Sequence, residues 1–115
     1  MTQTIQIFGN IANLPSGSRS ITESINLLNP IDQTLSIILS AGANLISIPA
    51  GASIVLLTPN PSELVASTFS LKNISSDSGF PINTKQSSLL SLGNQTSFII
   101  NSTATMSLPL EIVFL

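Results

Sequence analysis

The sequence contains no histidine, cysteine, tryptophan or tyrosine. Without histidine, no side chain has an ordinary pKa close to neutral pH, and no imidazole is present to bind a metal. Without cysteine there is no thiolate nucleophile, no zinc–thiolate site and no disulfide. These missing residue types argue against most kinds of enzyme. We therefore predict that the chain is not an enzyme and uses no cofactor and no metal.

Charge is also scarce. Only 7% of the 115 residues are charged, against about 25% in an average soluble protein. Three cations are too few to neutralise a phosphate backbone, and no tryptophan or tyrosine offers a stacking platform, so we expect no nucleic-acid partner. With a net charge of −2, a free monomer would tend to associate. We therefore expect much of its surface to be buried in a homo-oligomer or a larger assembly.

Catalysis by the remaining side chains has little support. A serine nucleophile needs a base, and the sequence has no S-x-x-K spacing and no G-x-S-x-G motif. A glycosidase-like pair could be drawn from the five acidic residues. These are scattered along the chain, which favours solvated or capping roles: Glu23, Asp32, Glu63, Asp77 and Glu111.

The first 14 residues lack a basic segment and a continuous apolar segment, so we predict no signal peptide. No apolar run approaches the roughly 20 residues of a membrane-spanning helix. We therefore expect no membrane partner and expect synthesis in a bacterial cytosol.

Apolar residues recur with a period of two, which indicates half-buried strands. Leu35, Ile37 and Leu39, for example, alternate with Ser36 and Ile38. Turn residues separate such segments at intervals typical of a sandwich or barrel. We predict one antiparallel β-sandwich domain spanning residues 1–115, jelly-roll-like, with about seven to nine strands. The predicted strands include residues 19–28, 35–39, 44–48, 53–57, 68–73, 89–92, 97–102 and 108–115, together with a strand around Ile5 and Ile7.

Several further expectations follow from the pattern. Residues 62–67 are too short for a helix beyond one turn. The apolar residues 108–115 predict either an inner strand or a subunit seam. Asp77 is expected to bind backbone N–H groups in a turn in which Gly79 supplies a positive φ. We expect the five phenylalanines to lie in the core: Phe8, Phe69, Phe80, Phe98 and Phe114.

Arg19 is the only arginine. Its guanidinium could bind a carboxylate of a partner through two parallel hydrogen bonds. The alternatives are an internal pair with Glu23 or Asp32, or simple exposure to solvent.

Three stretches carry a resemblance: LPSGSRSI (residues 14–21), IPAGASIVLL (48–57) and SLKNISSDSGFPI (70–82). The third resembles a pattern of small virion proteins of tailed bacteriophages, in which a strand and L-K precede a short loop, D-[ST]-G and a hydrophobic residue. Together the stretches are similar to the β-sandwich cement or decoration proteins of phage capsids, including those of cyanobacterial phages.

The resemblance implies a compact all-β subunit, often a homotrimer, on the outer capsid surface at symmetry axes. There it would bridge neighbouring major capsid proteins and stabilise the shell. The family has no catalytic motif to carry over. The resemblance extends only to turn positions, namely Pro15, Gly17, Pro49, Gly51, Asp77 and Gly79.

Two other classes stay open. One is a different phage structural subunit, from a tail, neck or head fibre. The other is a carbohydrate-binding or ice-binding β module. Sugar sites usually use aromatic platforms, and ice-binding faces favour regular threonine arrays. The sequence lacks tryptophan and tyrosine, and its threonines show no regular period.

Overall fold

A computed structural model describes residues 2–14, 17–28, 31–74 and 76–115, with side chains from residue 31 onward. The backbone divides into two compact units, Met1–Pro30 and Ile31–Leu115. The described parts of both units contain strands, turns and connections and no helix. The prediction of an all-β protein is confirmed.

The first unit is a long antiparallel hairpin. Strand β1 covers Thr2–Leu14 and strand β2 covers Gly17–Leu28. Their register places Ile5 opposite Ile25, and the pairing is irregular between Ile11 and Leu14. Strand β1 is longer than the alternation around Ile5 and Ile7 predicts, because the pairing continues through Gly9.

The second unit contains eight described strands, which form two four-stranded sheets. The first sheet has the order β3-β10-β5-β8, and the second has the order β4-β9-β6-β7. Every pairing within them is antiparallel. The strands are β3 (Gln33–Ile37), β4 (Gly42–Ser47), β5 (Ile54–Thr58), β6 (Phe69–Lys72), β7 (Phe80–Ile82), β8 (Ser88–Ser91), β9 (Ser97–Ser102) and β10 (Leu110–Phe114).

Consecutive strands alternate between the two sheets, except that β6 and β7 are neighbours in the second sheet. This connectivity, with two interlocked four-stranded sheets, is that of a jelly roll. Eight strands also lie within the predicted range. The prediction of one domain across residues 1–115 stays a prediction, because the described sandwich is built from Ile31–Leu115 alone.

The core lies between the two sheets and is filled by alternate residues of the inner strands. Burial of one large apolar side chain stabilises a fold by about 1.5–3 kcal/mol. Strand β10 contributes three such side chains. Residues 108–115 therefore provide an inner strand, and these three apolar side chains are buried within the subunit. The core residues are Leu39, Ile46, Val55, Leu57, Phe69, Phe98, Ile100, Met106, Leu110, Ile112 and Phe114.

Two details differ from the sequence predictions. Strand β7 was not predicted, because it has only three residues with Pro81 at its centre. Proline lacks an N–H group and is confined to edge strands within sheets, and β7 is an edge strand. The expectation that every phenylalanine lies in the core is wrong for Phe80, which is 53% exposed. The side chain of Phe8 lies outside the described residues.

Candidate interaction edge and binding cleft

Residues 33–47 form one margin of the sandwich, which we call the β3–β4 edge. Strand β3 is an edge strand of the first sheet, and β4 is an edge strand of the second. The stretch carries three of the exposed large apolar side chains, and Leu45 is 67% exposed. The other two are Leu35 and Ile38.

The backbone register explains this exposure. Leu35 lies opposite Ile112, which is fully buried. Leu35 therefore lies on the core side of its sheet and is exposed because β3 is the outermost strand of that described sheet. Leu45 lies opposite Ile99, outside the core cluster, and so lies on the outer side of the second sheet. The edge thus presents apolar surface on both sides.

The β3–β4 edge also lacks the features that usually protect a sheet edge. Natural edge strands carry charges, proline or bulges that prevent pairing with another chain. Residues 33–62 contain no charged residue, and residues 33–47 contain no proline. Strand β7 is different, because it is short and contains Pro81. Within the described sheets, the outer backbone groups of β3 and β4 pair with no other strand.

Hydrogen bonds hold the connection between β3 and β4 in one shape. The side-chain amide of Asn44 donates to the carbonyl of Ser40 at 2.9 Å, and its oxygen accepts from the Ser40 N–H at 2.9 Å. The Met106 N–H donates to the carbonyl of Leu39 at 2.9 Å. A surface ordered in advance loses less conformational entropy when a partner binds.

A buried carboxylate ties two loops of the sandwich together. Glu63, between β5 and β6, accepts from the backbone N–H groups of Ser107 at 2.6 Å and Leu108 at 3.1 Å. It also accepts from the Ser107 hydroxyl and from the N–H of Leu64. The ammonium group of Lys85 donates a hydrogen bond to the backbone carbonyl of Glu63.

These donors determine the charge state of Glu63. The hydrogen bond from the Ser107 hydroxyl lowers the pKa of Glu63 to about 2, and the backbone N–H groups act in the same direction while burial opposes them. The carboxyl is therefore ionised at neutral pH and fully occupied as an acceptor. It has the capping role expected from the sequence, and its solvated alternative is wrong because Glu63 is buried.

A second network joins the same two loops through hydroxyl groups. The buried Ser102 hydroxyl shares a hydrogen bond of 2.8 Å with that of Ser67 and donates to the carbonyl of Ala104 at 2.6 Å. The Thr103 hydroxyl accepts from the Thr68 N–H at 2.9 Å. Within the described residues, no buried side-chain polar atom lacks a partner. The serine hydroxyls here hold the two loops together.

A cleft of about 560 Å³ opens beside β6 and β7. Its apolar lining comes from three side chains that continue the core outward, namely Leu71, Phe80 and Phe98. Its polar lining includes Asn73, Asp77, Ser78 and Gln95. Among the described residues, no hydrogen bond engages the side-chain amides of Asn73 and Gln95. The cleft therefore combines an exposed aromatic ring with neutral hydrogen-bonding groups.

The wall of the cleft is the turn between β6 and β7. The carboxylate of Asp77 accepts from the N–H groups of Asn73 and Ile74, both at 3.1 Å. Gly79 has φ +73°, and a Cβ at this position would lie 2.8 Å from the carbonyl oxygen of Leu71. These are the roles that the sequence predicts for Asp77 and Gly79.

The remaining predicted scaffold residues lie elsewhere. Gly51 has φ +87°, and the Ala52 N–H donates to the Pro49 carbonyl at 3.2 Å, which makes a type II turn between β4 and β5. Pro49 is the first of the four residues of this turn and contributes its carbonyl oxygen. The fixed φ of proline therefore does not determine the backbone conformation of either central residue. Gly17 lies opposite Leu14 in the hairpin, whereas Pro15 lies outside the described residues.

Arg19 lies opposite Ile11 in the hairpin. Its side chain lies outside the described residues, so its partner contact stays a prediction.

Sequence reasoning missed both candidate sites. The signal that could have indicated the β3–β4 edge is the absence of charge across residues 33–62. The exposure of Phe80 was signalled by the Pro81 that follows it, since proline within a strand indicates an edge.

No family model matches the chain, and no curated protein or solved structure matches it. Among the described residues, no three acidic side chains cluster in a way that could hold a metal ion. The described part of the chain includes no helix with the length and apolar character needed to cross a bilayer.

Proposed function

We propose that this protein is a structural virion subunit, a capsid cement or decoration protein that binds the outer shell of a tailed bacteriophage. The observation that carries the proposal is the β3–β4 edge, which is apolar, uncharged and unprotected. Such an edge is a liability in a free monomer and is useful in a protein that works by assembly.

The contacts of this edge suit a neutral shell surface. Leu35, Ile38 and Leu45 would bury apolar area, at about 25 cal/mol for each Å² removed from water. Open N–H and C=O groups of β3 and β4 would add backbone hydrogen bonds to a neighbouring strand, as in strand addition. No charge is needed, and residues 33–62 have none to contribute.

The fold and the resemblance support the same function. Jelly rolls are used in viral capsid domains, though also in lectins, and fold alone does not determine function. The turn pattern of residues 70–82 adds the likeness to phage decoration proteins. The main alternative is another phage structural subunit, from a tail, neck or head fibre.

A non-catalytic function is consistent with two of the carboxylates that the structure describes. Glu63 is occupied by four hydrogen-bond donors, and Asp77 is occupied by two backbone N–H groups. Neither is arranged to exchange a proton with a substrate.

The proposed partners are the major capsid protein and two further copies of this chain. Strand β10 lies between β3 and β5, and its side chains Leu110, Ile112 and Phe114 are buried in the core, so these three would not supply a trimer seam. A trimer seam would use side chains that are exposed on the sandwich. Several weak contacts from one trimer would act together on the shell and raise the overall affinity without any new type of contact.

The test is whether particles retain the protein after the edge is altered. Leu45→Asp places a charge on the exposed edge and should greatly reduce the amount of protein on purified particles, measured by mass spectrometry. The matched control is Leu64→Asp, because Leu64 is 94% exposed and lies in the loop between β5 and β6. Equal retention of both variants would refute the role of the edge.

Cryo-electron microscopy of the same particles separates the alternatives. Density on the outer capsid surface, bridging capsomers, is the expected result. Density confined to the tail, neck or a fibre would replace the cement function with the alternative.

A further inference from the structure

The cleft beside β6 and β7 has no part in the proposed shell contact, because it is lined by residues of a different margin of the sandwich. It measures about 560 Å³, which falls within the usual range of ligand-binding pockets, roughly 300–1,000 Å³. We propose that this cleft binds a neutral carbohydrate.

The aromatic ring of Phe80 is the first reason. Phe80 lies opposite Leu71 in the β6–β7 pair, and it is 53% exposed because β7 is an edge strand. An exposed ring at the mouth of a cleft offers a flat apolar surface with a partial negative charge on its face. The C–H groups on one side of a sugar ring carry partial positive charge and pack well on such a surface. Phe80 would thus supply the aromatic platform in a sequence that lacks tryptophan and tyrosine.

The polar lining is the second reason. Asn73 and Gln95 each offer an amide with both donors and an acceptor, and Ser78 offers a hydroxyl. A hydroxyl group of a sugar is likewise donor and acceptor, so these side chains can bind it in either sense. Mixed apolar and neutral polar lining is the chemistry that recognises a polyhydroxylated ring.

Charge is the third reason, and it favours a neutral ligand. Lys72 and Asp77 are the charged residues that line the cleft, and their charges are opposite. The two N–H groups that donate hydrogen bonds to the Asp77 carboxylate belong to its own turn, so this carboxylate is already engaged within the protein. The lining therefore has no excess charge with which to hold an anionic sugar or a phosphate.

A peptide strand is disfavoured at the same place. Strand addition requires a run of free backbone N–H and C=O groups along an edge. Strand β7 has three residues, and its central residue, Pro81, has no N–H to donate. The cleft is thus better suited to side-chain recognition of a small ring than to backbone pairing.

Contacts among residues 71–74 and 77–79 shape the wall, which favours binding by a preformed site. Asp77 holds its two N–H groups, and Gly79 brings the chain close to Leu71 and Lys72. A side chain at position 79 would displace this wall.

The experiment uses the full chain and two probes. The first is a printed array of neutral and anionic bacterial surface glycans. The second is nuclear magnetic resonance of ¹⁵N-labelled protein titrated with the neutral oligosaccharides that the array selects. We expect neutral glycans to be retained and the amide signals of residues 71–80 and 95–98 to shift.

Two variants make the result specific. Phe80→Ala should weaken binding by about tenfold or more, since it removes the apolar platform. Leu64→Ala is the control, because Leu64 is 94% exposed, lies in the loop between β5 and β6 and does not line the cleft. It should bind as the wild type does.

Several results would overturn the proposal. These are an empty array, retention of anionic glycans alone, or shifts that map to the β3–β4 edge. Retention of peptides from a random library through Phe80 would identify a peptide site in its place. Binding to particles, as measured with Leu45→Asp, is a separate readout, so failure here leaves the shell proposal standing.

Discussion

Glu63 and Ser107 lie 44 residues apart in sequence and are joined by hydrogen bonds from both the backbone N–H and the hydroxyl of Ser107. The pair fixes the loop between β5 and β6 to the loop between β9 and β10. The first loop follows a strand of the first sheet, and the second loop follows a strand of the second sheet. This contact therefore helps to hold the two sheets together at one end.

The pair predicts a loss of stability in acid. The pKa of Glu63 is lowered from 4.5 to about 2 by the Ser107 hydroxyl and by backbone N–H groups. The unfolded chain therefore binds the proton more readily than the folded chain. The stabilisation is complete above the unfolded pKa and is lost as the pH falls through 4.5 towards about 2. Denaturant unfolding across this window should show the decline.

The variant Glu63→Gln isolates this effect. It keeps the shape and removes the charge, so it should lower the free energy of unfolding at neutral pH and flatten its dependence below pH 4.5. Glu111→Gln on the exposed part of β10 is the control, and it should change the free energy of unfolding at neutral pH by no more than about 0.5 kcal/mol. An unchanged acid profile in Glu63→Gln would contradict the assignment.

The turn between β6 and β7 gives a second prediction. Gly79→Ala should destabilise the fold by about 1–3 kcal/mol, because alanine is strained at positive φ. Its Cβ would also meet the Leu71 carbonyl oxygen at 2.8 Å. Thermal or denaturant unfolding measures the loss.

Gly93→Ala is the control for this turn. Nothing lies within 4 Å of a Cβ built at Gly93. This variant should be neutral, or stabilise by about 0.4–1 kcal/mol through the unfolded chain if alanine fits the local backbone. Equal losses at both glycines would show that positive φ is not the cause at Gly79.

Two phenylalanines provide a third prediction. Phe114 is 1% exposed and belongs to the core, whereas Phe80 is half exposed. Phe114→Ala should cost about 3–5 kcal/mol through lost burial and a residual cavity. Phe80→Ala should lower the free energy of unfolding by well under half as much. A large loss of stability in Phe80→Ala would mean that Phe80 stabilises the fold. The chemical-shift data would then be needed to show whether this variant has lost binding or has lost its fold.

The fold could be predicted from the sequence because its determinants are local. Alternation of apolar and polar residues in β3 and β10 marks the side that faces the core, and glycine or proline marks the turns. Strand β7 was missed because three residues around Pro81 show no period. The position of β10 between β3 and β5 depends on pairing across more than 50 residues, which no local pattern specifies.

The candidate sites were harder to predict, for the same reason. Leu35 and Leu45 read as ordinary strand residues, and only the strand order shows that β3 and β4 are edges. Phe80 and Gln95 are brought to one cleft by the pairing of β6 with both β7 and β9. Asp77 and Gly79 were predicted because their turn is contained within seven residues of chain.

The final prediction concerns how the protein remains attached to its shell. Attachment through the β3–β4 edge should persist in about 1 M sodium chloride, where the screening length is only ~3 Å, because residues 33–62 carry no charge. Sulfate should strengthen attachment, and urea should weaken it, since they act on apolar contacts in opposite directions. Particles are washed in each solution, the retained protein is quantified, and the particles are then heated with and without it. Release in moderate sodium chloride would contradict an apolar contact. Unchanged thermal stability of stripped particles would contradict the cement function, because a subunit that bridges capsomers must raise the temperature at which the shell fails.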